Sequence, residues 1–353
     1  MKIRLAILEK DTSYLNRIVS VFSTKYADKF EIYSFTDLAV AMSSLEEAKI
    51  DVLVSDDAFD VNVAELPKRC GFAYFVDTAD IDMEREQRAI CKFQKADLIY
   101  KQILSIYAEK ASSISSLKLD DDNTKICMFQ SVSGGTGASS MAAAAALHFA
   151  ARNKKTLYLN LERFGGADVF FTGEGQFDMS DIIFALKSKK ANLALKLESC
   201  VKQDERGVSF YSQSKIALDM LELDCEEILR LISELQLTGS YDYIVIDRDF
   251  GLDEDSLKIC RQAHSIVWVG DGSEISNSKI LRAYQGLTAL GQNADSPLTN
   301  RLCLAYNKFS NKTGRTLTEA GIRAIGGAPR YEHATTAQVV EQLCRMDMLD
   351  KIL

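Results

Sequence analysis

The residues with the most chemistry in them lie in segment 126–142, ICMFQSVSGGTGASSMA. An apolar stretch runs into a glycine-rich turn and then into an alanine-rich stretch. A strand feeding a helix through such a turn lines up backbone N–H groups at the helix's positive end, which makes a cradle for phosphate. Gly134, Gly135 and Gly137 let the backbone approach an anion closely. The hydroxyl of Ser139 stands where a magnesium ligand is needed, and Ser133, Thr136, Ala138 and Ser140 complete the turn. Against the usual phosphate-loop pattern, Val132 replaces the first glycine and Ala138 the lysine. Asp247 ends the apolar run YDYIVID, where a carboxylate orders a magnesium ion and its waters. Asn160 ends the run TLYLN, followed by Glu162. Asn307, just past RLCLAY, offers an amide to an adenine base.

A second group is acidic. Glu9, Lys10 and Asp11 follow the apolar run 2–8, Asp56 ends the run 52–56, and Lys101 follows the run 97–100. If these runs are parallel strands, their ends converge at one edge of a sheet, where ligands of α/β folds bind.

Strand-like and helix-like stretches do alternate. Before residue 110, strands are expected at 2–8, 31–35, 52–55, 72–76 and 97–100, with helices at 14–25 and 37–48. Beyond it, strands are expected at 125–132, 156–161, 242–247, 265–269 and 301–306, with a helix at 139–152. This pattern predicts an α/β protein of two doubly wound domains with mostly parallel sheets. The Ser- and Asp-rich stretch 111–124 reads as the linker between a domain at 1–110 and one at 125–353.

Composition narrows the function. The chain has 353 residues, enough for two cores, and a net charge of -8. Residues 1–119 hold 16 basic and 19 acidic side chains, and the remainder 26 and 31, so neither part favours nonspecific nucleic-acid binding. No apolar run reaches the roughly 18 residues of a membrane span, and the N-terminus does not read as a signal peptide. None of the 8 cysteines forms a CxxC pair, and the 3 histidines are dispersed, so buried thiols in a reducing cytosol are expected, without a zinc site. The tail 339–353 has helical apolar spacing with a net charge of -1, which suits packing on its own domain better than a basic membrane anchor.

The motifs carry two resemblances. The acidic corner resembles response-regulator receiver domains, with DVLVSD (51–56) matching the segment that ends in the phosphoacceptor. The resemblance implies Asp56 as acceptor, Glu9 at the Mg²⁺ position and Lys101 at the pairing lysine. Lys10 replaces a second acid and is expected to oppose Mg²⁺ and pair with Asp56. The favoured reading is a receiver-shaped interaction domain that is not phosphorylated. Residues 123–340 resemble the ParA/MinD family of deviant-Walker ATPases, matching at Gly134, Gly135, Gly137, Ser139, Asp247 and Asn307. Ser133 and Ala138 replace that family's two lysines, and Asn160 the aspartate that orients the attacking water. AIGGAPRYE (324–332) is similar to the segment flanking the base. The order of the two domains resembles the TadZ/CpaE family of Tad (Flp, type IVb) pilus assembly.

This resemblance implies an ATP- and Mg²⁺-binding localisation protein that forms a homodimer, works with Tad assembly proteins and resides in the cytoplasm at the cell pole or the inner membrane face. It implies no nucleic-acid partner and no direct membrane insertion. With both lysines replaced, hydrolysis is expected to be very slow or absent, and Arg163 is weighed as a substitute cation. Two alternatives stand: a working ParA/MinD-type spatial-regulation ATPase, or a regulator controlled by phosphorylation of Asp56.

Overall fold

A computed structural model describes residues 2–110, 124–188, 192–291, 297–318 and 321–353. The expected linker 111–124 lies, except for Thr124, outside the described residues. In chain order the elements are β1 (Ile3–Leu8), α1 (Thr12–Lys25), β2 (Phe30–Phe35), α2 (Leu38–Glu47), β3 (Val52–Asp56), β4 (Gly71–Val76), β5 (Met83–Glu84), β6 (Gln87–Cys91) and α3 (Ala96–Lys110). They continue with β7 (Lys125–Gln130), α4 (Ala138–Ala150), β8 (Thr156–Asn160), α5 (Met179–Ser188), α6 (Leu193–Cys200), β9 (Lys202–Gln203), β10 (Val208–Phe210) and α7 (Cys225–Leu237). The chain closes with β11 (Tyr243–Asp247), α8 (Glu254–Cys260), β12 (Ser265–Gly270), α9 (Glu274–Leu290), β13 (Leu302–Phe309), β14 (Arg323–Pro329) and α10 (Thr336–Leu343).

Two compact units form. The first comprises Met1–Ser115 with Phe184–Cys200. Its sheet has the order β2-β1-β3-β4-β6-β5, parallel except where β5 meets β6. Strands β1, β3 and β4 are buried along almost their whole length, as sheets covered on both faces require. Ile3, Leu5 and Ile7 face α1 and α3 on one side, and Ala6 and Leu8 face α2 on the other. The fifth parallel strand is β6, not the expected 97–100. That apolar run, DLIY, lies inside α3, which buries a wide face.

Residues 184–188 and 192–200, from the middle of the sequence, fall within this first unit. Helix α6 lies on α3. Tyr100 Oη donates to Glu198 Oε1 (2.7 Å), Lys29 Nζ lies 3.0 Å from the same carboxylate, and buried Lys196 donates to Ser105 Oγ (2.8 Å). Asn192 N–H donates to Ala108 O, at the end of α3 (3.0 Å).

The second unit comprises Ser116–Ile183 and Val201–Leu353. Its eight strands run β14-β13-β12-β7-β11-β8-β10-β9, all parallel except β9. Ala142–Ala146 of α4 are fully buried, and such small side chains let the helix sit close on β7, β8 and β11. The C-terminal residues Val340, Leu343, Met348, Leu349 and Ile352 join the same core, and His148 of α4 bonds Cys344 O (2.7 Å) and Asp350 (2.8 Å).

If α6 completes the first unit's core, opening its packing loosens α3 in particular. Leu197 is buried in α6. Leu197→Ala is expected to cost about 2–4 kcal/mol and to speed hydrogen exchange of α3 amides while α4 amides stay protected, as read by mass spectrometry.

Candidate functional site

The site of the second unit forms where five parallel strands end. The register sets Asp247 of β11 beside Phe129 of β7 and Asn160 of β8. The chain leaving β7 turns through 131–137 and enters α4 with Gly137 at its N-cap. Gly134, Gly135 and Gly137 have φ of 67°, 68° and 86°, in the left-handed region that side chains disfavour. At Gly137 the requirement is also steric, since a Cβ there would lie 2.5 Å from Asn307 Nδ2.

Neighbouring strand ends fix the loop. Thr136 Oγ1 donates to Val269 O at the end of β12 (2.8 Å) and meets Ser131 Oγ at 2.7 Å. Ser133, in the first lysine position, has its hydroxyl 3.0 Å from that of Ser276 in α9. Asn307 is buried and donates from Nδ2 to Thr136 O (2.9 Å), which ties its amide to the loop and leaves one of its two N–H donors. Lys308 Nζ donates to Gly135 O (2.7 Å). A cavity of about 340 Å³ opens over the loop, lined by Gly134, Gly135, Ala138, Ser139, Ser140 and Lys308 among others.

Below the loop lies a carboxylate cluster. Ser139 Oγ donates to Glu162 Oε1 (3.2 Å). Asp247 Oδ2 accepts from Tyr158 Oη (2.7 Å) and Asn160 Nδ2 (3.2 Å), and Asn160 Nδ2 also lies 3.2 Å from Glu162 Oε2. Burial, with the nearby Glu162 charge, pushes the Asp247 carboxyl up to about 8, against the pull of the Tyr158 and Ser139 hydroxyls. A carboxyl so raised is one that a cation would return to its charged form. The residues therefore fit a magnesium nucleotide: an open glycine cradle, a serine hydroxyl at the start of α4, and a buried carboxylate. Asn160 donates toward both carboxylates, a task different from polarising water. Arg163 is exposed, its N–H bonded to Asp249 (2.9 Å), and does not line the cavity. Lys308 does, and the sequence reading passed over it although it directly follows Asn307.

In the first unit, Glu9 and Asp56 converge as expected, but Lys101 does not join them. It lies in α3, because the strand expected before it is part of that helix. Lys92, just past β6, takes the place: its Nζ bonds Asp56 and lies 3.2 Å from Glu9 Oε2. Lys10 is exposed and is not the partner of Asp56. Asp11 caps α1, accepting from Ser13 N (2.8 Å) and Tyr14 N (3.2 Å). Burial pushes Asp56 up, but the Lys92 ammonium and the Ala58 N–H outweigh it and hold the carboxyl below its usual value. Burial keeps Glu9 above its own usual value.

The chain thus joins a receiver-like unit to a phosphate-loop unit. Residues 1–108 match the family model for TadZ-like receiver domains. No curated protein matches the chain. Among solved structures it is similar to a ParA family ATPase from Chlorobium tepidum, at 20% identity and a TM-score of 0.50, over 65% of this chain and 96% of that one. It is also similar to the septum site-determining protein MinD of Pyrococcus horikoshii, complexed with Mg-ADP, at 15% identity and a TM-score of 0.48, over 63% and 94% of the two chains. The second unit has the ParA/MinD-like fold. A TadZ-like receiver followed by that fold is the architecture of the TadZ/CpaE proteins.

Two outcomes follow from these charges. A carboxyl raised in the fold binds its proton more tightly folded than unfolded. Asp247 therefore favours folding at low pH, and that contribution is lost as pH climbs from the ordinary carboxylate range through about 8. Without magnesium, Asp247→Asn should flatten the decline of Tm over this window, by thermal denaturation across pH. Lys92→Met leaves two buried carboxylates without their cation and is expected to cost about 3 kcal/mol by urea unfolding at neutral pH.

Proposed function

We propose that the chain is a nucleotide-binding localisation and scaffold protein for Tad (Flp, type IVb) pilus assembly, acting at the inner face of the cytoplasmic membrane through partner proteins. Two copies associate with Mg-ATP as the ligand that stabilises the pair, and hydrolysis is very slow or absent. One observation carries this reading: a complete backbone cradle, over a serine and a buried carboxylate, in a loop that has lost both lysines and stands behind a TadZ-like receiver domain.

Phosphoryl transfer depends on positioning and charge neutralisation. The cradle amides and the α4 N-terminus would hold phosphate oxygens, and Ser139 and Asp247 would hold Mg²⁺. Bound magnesium supplies charge neutralisation. What is missing is the cationic and water-orienting chemistry at 133, 138 and 160, and each such loss costs on the order of 10²-fold in rate. Binding survives these losses better than turnover does, because the amides remain. The receiver unit acts as a docking domain. Lys92 stands in the pairing-lysine place, so the departure that weakens Mg²⁺ binding and phosphoryl transfer to Asp56 is Lys10, where a second acid is needed.

Calorimetric titration of the full chain with Mg-ATP, paired with a phosphate-release assay, tests the reading. A saturable heat is expected, with release no faster than in Asp247→Ala. A flat titration would sink nucleotide binding, and steady turnover well above that control would restore the working-ATPase alternative.

A further inference from the structure

Resting on that nucleotide-binding reading, we propose that Lys308 supplies the loop's missing cation, delivering its ammonium to the phosphate chain from β13 rather than from the loop itself. Three observations converge on it. The first is position. Lys308 Nζ donates to Gly135 O at 2.7 Å, and its Cε would lie 3.7 Å from a Cβ on Gly137, so the side chain runs along the loop. It lines the same 340 Å³ cavity as Gly134, Gly135 and Ser139.

The second is backbone. Successive strand residues point to opposite faces, yet Asn307 and Lys308 both bond the loop, at Thr136 O and Gly135 O. The chain achieves this with Lys308 at φ 55°, where the pairing of β13 with β14 becomes irregular between Tyr306 and Phe309. A non-glycine residue in the left-handed region is strained, and strand irregularities of this kind re-aim side chains. The strain is spent on bringing an ammonium to the cradle.

The third is capacity. An ammonium has three N–H donors, and Gly135 O uses one. The other cation lining the cavity, Arg248, acts electrostatically on Asp253 and Cys260 and has its Nη1 buried without a partner. Among the described residues lining the cavity, Lys308 is the cation bonded to the loop.

Lys308→Met keeps the apolar stem and removes the charge. In full-length protein of unchanged circular dichroism, calorimetry should show Mg-ATP binding weakened by about tenfold or more, which is roughly 1.4 kcal/mol, with a smaller dependence of affinity on salt. Adding Ala138→Lys, which places a lysine back in the loop, should recover most of the loss. Wild-type binding that persists unchanged in Lys308→Met overturns this inference and leaves nucleotide binding intact. A loss that Ala138→Lys does not recover overturns it too, because Lys308 would then act only by holding the loop's shape. Wild-type protein that binds no Mg-ATP overturns the parent reading instead, and the role of Lys308 with it.

Discussion

The second unit depends on keeping one lysine-free loop in shape. The first N–H groups of α4 have no partner within the helix, and they face an anion only if the preceding turn is held open. Here the holding is done from outside. β12 takes the Thr136 hydroxyl on Val269 O, and β13 contributes Asn307 and Lys308 to the carbonyls of Thr136 and Gly135. Ser133 is tied to Ser276. Each bond is worth only about 1 kcal/mol net, but together they remove the turn's freedom. The cradle therefore exists only while β12 lies in register on β7 and β13 on β12, and site and sheet stand or fall together.

The substitutions around the loop make sense as one balance of charge. Asp247 is buried and the Glu162 charge is close, so the ionisation of Asp247 is already disfavoured. A further aspartate at 160 would add a third negative group where no loop lysine remains to offset it. Asn160 adds none, and its amide donates toward both existing carboxylates. A lysine-free loop and an amide at 160 thus go together physically: without a loop cation, an amide is the better neighbour. The same exchange that steadies the site removes a group suited to polarise water.

How much of this was legible in sequence followed the range of the interactions. The glycine loop, Ser139 and Asp247 were readable because strand, turn and helix follow one another along the chain, and burial of both sheet faces wrote β1, β3, β4, β7 and β11 as plain apolar runs. β6 was missed because it is short and opens with Gln87 and Arg88, while DLIY offered a more apolar decoy inside α3. That one displacement moved the pairing lysine from Lys92 to Lys101. Lys308 was hidden for a different reason: its partner Gly135 lies 173 residues away, and nothing local marks a residue as strained. Helix α6 was hidden likewise, since its apolar pattern says that it packs but not on which core.

Both units gather carboxylates at the carboxyl ends of parallel strands, and they differ in where the neutralising lysine enters. In the first, Lys92 follows the strand next to β4 and inserts its ammonium between Glu9 and Asp56, with its side chain only 9% exposed. The corner is filled by the protein's own charge. In the second, Lys308 bonds the loop at Gly135 O, and a cavity remains. Breaking such a buried ion pair leaves its carboxylates without their cation, which is costly. A raised carboxyl with no internal cation gains by accepting one. The same arrangement of strand ends thus holds an internal ion pair in one unit and leaves a cavity near a raised carboxyl in the other.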